Sequence, residues 1–399
     1  MPSAAREVDE APPWGLLRRC LGLALGHWLL LGLTGAQGED TSCQVDYRIE
    51  ARLEGETKQL TGELWLDWVN NSSDTVDDLW FHLYLNAFSN NRSTHLQESK
   101  GELRGVKLKE GWGWSQVTGM SVLDASGTST DVLASFKYEH PEDPREEDRT
   151  VFSVELPEPV PPGGSARVHI QWESQLPRVR RRTGYKDDFL LVAQWFPKLA
   201  VYESGSGWNC HQFHANTEFF SDYGSYEVTL DLPPEYAGRV SGSGAQYSAE
   251  LYQDRYLVSF RAPGKQDQDR KDAFGLLPKV HDFAWTADPN FVVEHRIFDA
   301  AEWAERYSDE VQKVREALGP EESLKLRNVD VTVMVSPEHR GQIERHYDAT
   351  CAALFFYGLW FGEYPYQHIT VVDPAWGASA AGGMEYPTLF TCGTSSHTT

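Results

Sequence analysis

Hydrophobic and polar residues alternate along most of the front half of the chain. Leu64, Leu66 and Trp68 are separated by polar neighbours, and so are Val168, Ile170 and Trp172, and Val228, Leu230 and Leu232. A period of two means strands with one buried face and one wet face. Turn signals punctuate these runs at Pro161-Pro162-Gly163-Gly164, Pro233-Pro234 and Gly242-Ser243-Gly244. Many short strands with such breaks predict an antiparallel β saddle or sandwich over residues 44–269. The acidic, proline-containing insert from Glu139 to Arg149 reads as a surface loop.

Near residue 270 the pattern changes. The charged stretch Lys265 to Asp272 suits a domain boundary. Strand-like segments Asp282 to Trp285 and Phe291 to Phe298 follow. Helical spacing then links Trp303, Ala304, Tyr307, Val311, Val314 and Leu318. Asp299 with Glu302 resembles a capping box, and Gly319-Pro320 is a stop. Val329 to Val335 reads as a buried strand. Ser336-Pro337 opens a second helix that runs to about Phe361 and ends at Gly362. Ile369 to Val372 is another strand. Alternating strands and helices predict an α/β region over residues 270–399.

The composition supports packed domains rather than disorder. The chain has 399 residues, 40% hydrophobic and 12% aromatic, a length that suits about two or three domains. Its formal net charge of -23 repels phosphate backbones, so nucleic acid is not an expected partner. The local exception, Arg178 to Arg182, reads as a solvated basic loop, an ion-pair partner for the Glu139–Asp148 stretch, or a protease-sensitive site.

Residues 1–36 read as a targeting segment. Arg18 and Arg19 precede an apolar run from Cys20 to Leu33, and Thr34-Gly35-Ala36 offers a cleavage site. The run is shorter than the roughly 20 residues of a spanning helix. A cleaved signal peptide and an uncleaved N-terminal anchor both remain open. Either one exports the chain, to the periplasm, the extracellular space or a membrane surface. Beyond Cys20, the residues Cys43, Cys210, Cys351 and Cys392 can form two disulfides of unreadable connectivity in an exported chain. Asn70, Asn71 and Asn91 lie in N-glycosylation sequons.

The candidate chemistry lies between Phe361 and Phe390. Adjacent glycines, Gly382-Gly383, sit beside a strand-like run and permit close approach of another backbone. An open strand edge there can pair with an extended peptide. The carboxylate just beyond, Glu385, can hold the ammonium group at a peptide's N-terminus, which selects for exopeptidase action.

The stretch Gly382-Gly383-Met384-Glu385-Tyr386 resembles the exopeptidase motif of the aminopeptidase N and leukotriene-A-hydrolase family of zinc gluzincins, usually Gly-x-Met-Glu-Asn. Its flanks, Gly362-Glu363-Tyr364-Pro365-Tyr366 and Tyr386-Pro387-Thr388, resemble the family too. So do Gln194-Trp195-Phe196-Pro197-Lys198 and Thr217 to Tyr223. The resemblance spans residues 44–399. It implies a β-saddle N-terminal domain followed by the opening half of a thermolysin-like domain.

It also implies that Glu385 binds the substrate's α-amine while Gly382, Gly383 and Met384 contact the peptide through their backbones. Tyr386 replaces the usual Asn, so a role tied to that Asn does not transfer. Gln194 is a candidate for the family's amine-binding glutamine, although its spacing to Phe196-Pro197 departs from the pattern. The implied cofactor is zinc, held by H-E-x-x-H and a downstream Glu. None of the 13 histidines here is followed by glutamate. The resemblance therefore puts the zinc ligands and the general base beyond Thr399, with no catalytic residue among those present. The implied whole is a zinc metallo-aminopeptidase acting on peptides with a free N-terminus. This chain would be its front fragment, without turnover of its own. The alternatives are a non-catalytic peptide-binding pseudo-peptidase and an exported β-sandwich binding module.

Other histidines read as structural. His211 and His214 lie in loop-like sequence, and His339 and His346 can share a face of the second helix. Glu344 and Arg345 read as ordinary helix-surface charge.

Overall fold

The computed structural model describes residues 45–393 except 101, 104–105, 108–110, 125, 180, 218, 265–266, 268–277 and 319–323. The targeting segment, Cys43, most of the Lys265 to Asp272 boundary, Gly319-Pro320 and the stretch Thr394 to Thr399 lie outside the described residues.

The alternating runs form an eight-stranded sheet. Its order is Ala245–Tyr252, Arg255–Ala262, Gly224–Leu232, Val45–Glu54, Gln59–Val69, Ser165–Gln175, Trp114–Leu123, Ser129–Asp131. All neighbours are antiparallel except Val45–Glu54 and Gly224–Leu232, which run parallel. On one face Ile49, Leu64, Ile170, Val228 and Val258 are fully buried. The wet face carries cross-strand ion pairs such as Arg52–Asp231 (3.1 Å) and Arg261–Glu227 (3.0 Å).

The buried face packs against two four-stranded sheets, which contribute Leu79, Phe81, Phe152, Leu190, Val192 and Trp285 to one continuous core. One of them joins Gly184–Lys186, Phe189–Val192, Trp285–Ala287 and Val240–Gly242. The strand-like segment expected at Asp282 to Trp285 therefore pairs from Trp285 to Ala287, and it pairs with strands from the front of the chain.

The α/β part is a five-stranded mixed sheet. Its order is Val292–Phe298, Val329–Val335, His368–Asp373, Leu389–Thr391, Met384–Tyr386. The three middle strands are parallel and the outer two antiparallel to their neighbours. The helix Ile343–Phe361 makes the crossover between parallel strands. It buries Cys351, Leu354, Phe355 and Leu359 against the valines of Val329–Val335.

Two helix expectations change. Asp299 does cap a helix, accepting from the amides of Ala301 and Glu302, but that helix covers only Ala300–Arg306. A second helix, Ser308–Leu318, restarts after Tyr307 leaves helical geometry. Pro337 opens a 3₁₀ turn, Pro337–Gln342, rather than the α-helix, and the Ser336 side chain makes no cap bond. The helix does end at Gly362, whose φ of 110° favours glycine.

Cys210, Cys351 and Cys392 are free thiols, so no disulfide forms among them. Asn70 is buried, with its amide donating to the carbonyls of Asp74 and Val160, and so is closed to glycosylation. The Glu139–Arg149 insert is superficial except for its anchor Asp148, which accepts from Thr94 and Thr150 amides. Its carboxylates pair with Lys137, Arg145, Arg92, His211 and His214. Arg181 donates to the carbonyls of Ala215 and Thr217. Among the described residues no helix is long and apolar enough to cross a membrane.

Candidate functional site

The strand Met384–Tyr386 is the terminal strand of the five-stranded sheet. It forms a hairpin with Leu389–Thr391, in register Tyr386 with Leu389 and Met384 with Thr391. Pro387-Thr388 make its two-residue turn. Thr388 takes the left-handed φ of 57° there, a cost offset by three anchors. Its hydroxyl accepts from the Gly244 amide (2.8 Å) and lies 3.0 Å from His368 Nε2, and its carbonyl accepts from the Thr370 amide. The hairpin is thus held by both the front sheets and its own sheet.

The glycines play different parts. Gly382 is buried in extended backbone, and a side chain there would lie 3.2 Å from the Cys392 carbonyl. Gly383 is exposed with φ 75°, and its amide donates to the Thr391 carbonyl. Along the strand Met384 is half-buried, Glu385 exposed and Tyr386 buried. The strand alternation turns the Glu385 carboxylate to the face opposite Tyr386. Tyr386 packs with Phe189, Leu191, Met334, Val372 and Leu389 in a cluster shared by both parts of the chain. Its hydroxyl donates to the Arg182 carbonyl at 3.0 Å. The residue in place of the family's Asn is therefore a core residue here.

Gln194 sits elsewhere. It is buried at φ 55° and its amide oxygen accepts from Lys198 Nζ (2.8 Å) while its amide nitrogen donates to Asp282. Both ends of its side chain are thereby engaged in a buried trio. One cavity of about 800 Å³, lined by Asn86, Trp114, Phe136, Tyr138 and Arg149, belongs to the front sheets. The candidate site is the terminal strand of a sheet.

A cluster of His339, His346, Asp373 and Cys392 lies beside this edge. The C-terminal ends of the parallel strands bring Asp373, Cys392 and the segment after Val335 together. His346 Nε2 lies 2.8 Å from Asp373 Oδ2, and His339 Nδ1 lies 3.1 Å from Asp373 Oδ1 without hydrogen-bond alignment. Cys392 Sγ is 3.2 Å from His346 Nδ1. Both histidines and Asp373 are buried. His339 and His346 do converge, but from a 3₁₀ turn and a helix rather than from one helix face. Only the mixed composition of the cluster was available as a signal in the sequence, because its members come from four separate segments.

Among the described residues no three His, Cys, Asp or Glu side chains are placed to hold a metal. In the cluster above, Cys392 and Asp373 use opposite nitrogens of His346, so one ion cannot meet all three. The described residues do not fit a catalytic zinc, and no hydrolytic step through zinc follows from them. His214 bridges carboxylates, with Glu98 and Glu142 each 2.7 Å from a ring nitrogen. Glu344 pairs with Arg296 on the surface.

No protein-family model and no curated protein matches the chain. Solved structures do. A two-domain M1 zinc metallopeptidase variant bound to L-tryptophan is similar at 13% identity and a TM-score of 0.46, over 83% of this chain and 56% of that one. The M1 zinc metallopeptidase from Deinococcus radiodurans matches with the same identity and shares of each chain, at a TM-score of 0.43. A variant of a two-domain M1 zinc metallopeptidase bound to L-arginine matches at 13% identity and a TM-score of 0.45, over 88% of this chain and 60% of that one. The chain thus spans little more than half the length of the solved structures it resembles.

Proposed function

We propose that this chain is the substrate-holding front part of a zinc-dependent aminopeptidase, in which Glu385 binds the α-amine of a peptide laid along Met384–Tyr386. The observation that carries the reading is an exposed carboxylate on the terminal strand of a sheet, two residues after Gly383 of the Gly382-Gly383 pair. Backbone pairing along an open edge supplies affinity without regard to side chains. A carboxylate at its end selects a free ammonium over an acylated one. Zinc and the hydrolytic groups belong, on this reading, to residues beyond Thr399. The 399-residue chain then has negligible peptidase activity of its own, and stoichiometric zinc with turnover in the purified chain would refute that part. Export through residues 1–36 belongs to the same proposal.

Calorimetry with a short unblocked peptide and its N-acetyl counterpart tests the site. The unblocked peptide binds more tightly, and Glu385→Gln removes the difference. A hydrogen bond to a charged group contributes about 1.5–3 kcal/mol, so the loss is roughly 10- to 150-fold in affinity. Equal binding of the acetylated peptide, or an unchanged ratio in Glu385→Gln, defeats the proposal.

A further inference from the structure

We propose that Cys392 is a reactive thiol, a site of mixed-disulfide formation with small disulfides, for which His346 is the proton acceptor and Asp373 the residue that orients His346. The arrangement has the three geometric parts of an activated nucleophile. The thiol lies 3.2 Å from His346 Nδ1, and the opposite nitrogen lies 2.8 Å from Asp373 Oδ2. Asp373 is nearer to Nε2 than the Arg345 guanidinium, which lies 3.4 Å from the same nitrogen, and so favours the tautomer in which Nε2 carries the proton; the Nδ1 lone pair is then closer to the thiol than its other acceptor, the Val372 carbonyl at 3.5 Å. His339 sits against the second oxygen of Asp373 at 3.1 Å, buried, with no hydrogen bond to either ring nitrogen among the described residues.

The surroundings favour charge separation. The Arg345 guanidinium lies 3.4 Å from the Gly393 carbonyl, one residue from the thiol. His346 lies in the first turn of the helix Ile343–Phe361, where the helix dipole favours negative charge nearby. Burial alone acts the other way. Together with the Asp373 charge it pushes the Cys392 thiol up to about 12, against a downward pull from Arg345. Such a thiol is inert at neutral pH unless a base takes its proton, and that makes the role of His346 separable. Cys210 is a control: it is buried, its thiol is also pushed up by burial, and its nearest imidazole nitrogen, on His82, is 3.6 Å away.

The step balances with the small disulfide as oxidant. The Sγ proton moves to His346 Nδ1, and the thiolate attacks one sulfur of the disulfide. The S–S bond breaks with its electron pair leaving on the departing thiolate, His346 passes its proton to that thiolate or, where the leaving group is an acidic aromatic thiol, to water, and Cys392 is left in a mixed disulfide with one equivalent of the small thiol or thiolate released. Among the described residues, the charged and titratable groups near the thiol are Arg345 and His346 from the helix and Asp373 from its strand, with His339 of the 3₁₀ turn behind Asp373.

An aromatic disulfide that releases a coloured thiolate, with the modified cysteine located by mass spectrometry, tests this on the intact chain. Cys392 reacts first, before Cys210 and Cys351, at a rate that changes little between pH 6 and 8. His346→Gln and Asp373→Asn each slow it at least tenfold at pH 7, and His346→Gln restores the tenfold rise per pH unit of an ordinary thiol. Circular dichroism of each variant confirms the fold. Cys392 in the wild-type chain reacting no faster than Cys210 overturns the proposal whatever the variants do. So does a wild-type rate that climbs tenfold per pH unit from 6 to 8.

Discussion

The buried trio Gln194–Lys198–Asp282 offers the sharpest test of how the front sheets are held. Lys198 is fully buried and its Nζ lies 2.6 Å from Asp282 Oδ1. At an effective dielectric near 20, charges that close attract by about 6 kcal/mol. Removing both from water costs several kcal/mol per ion, so the intact pair contributes little net stability. Burial lowers the Lys198 pKa, and Asp282 works against that shift. Among the described residues, deleting Asp282 leaves the ammonium with Gln194 Oε1 at 2.8 Å and the Phe196 ring at 5.4 Å.

Asp282→Ala should therefore cost about 3–5 kcal/mol, read as a shift of the first urea transition. A lysine whose folded pKa is depressed holds fewer protons folded than unfolded. The variant's stability thus rises with pH up to the unfolded lysine value near 10.4, more steeply than that of the wild type. Asp282→Leu combined with Lys198→Met should recover most of the loss, since no uncompensated charge remains. A loss under about 1 kcal/mol in Asp282→Ala, or a double variant as weak as the sum of its singles, would refute the reasoning.

Further predictions concern acid and the hairpin. Burial holds His82 neutral to about 3, helped by the Lys198 charge, and His95 to about 4. Their contribution is complete above pH 6.5 and is lost as pH falls, by about 2 kcal/mol each at pH 5; NMR should find neither ring titrating above pH 5. For His214, burial would lower the pKa, but the Glu98 and Glu142 hydrogen bonds together raise it. The stability it adds is present below about 6.5 and disappears as pH rises through its folded value, so thermal melts of His214→Gln should lose more against wild type at pH 5.5 than at pH 8.5. Tyr386→Asn, which installs the family's usual residue, should cost about 3–5 kcal/mol by emptying a buried aromatic site; a cost below about 1 kcal/mol would show that the ring is not structural.

Much of the fold was legible because local pattern and tertiary demand agreed. Val329 to Val335 is a strand over that whole range, and Ile369 to Val372 lies within His368–Asp373. The glycine-flanked run at Met384 is an edge strand, as its composition suggested. The split at Tyr307 was not legible, since Trp303, Tyr307 and Val311 keep helical spacing while the backbone turns. Nor was the register of Trp285–Ala287, whose partners lie in the front half. The Cys392–His346–Asp373 contact was hidden for the same reason, its members being separated in sequence and joined only at the strand ends.

The sequence by itself determined the strand faces, the helix ends at Asp299 and Gly362, and the position of Glu385 just past two glycines. These depend on side-chain period, caps and backbone freedom, which act over a few residues. Only the tertiary structure decided that Gln194 is locked in a buried ionic trio, that Tyr386 is a core residue, and that Cys392 meets an imidazole oriented by a carboxylate. Those facts depend on which distant segments share a sheet, and that is settled by burial of the whole core rather than by any local pattern.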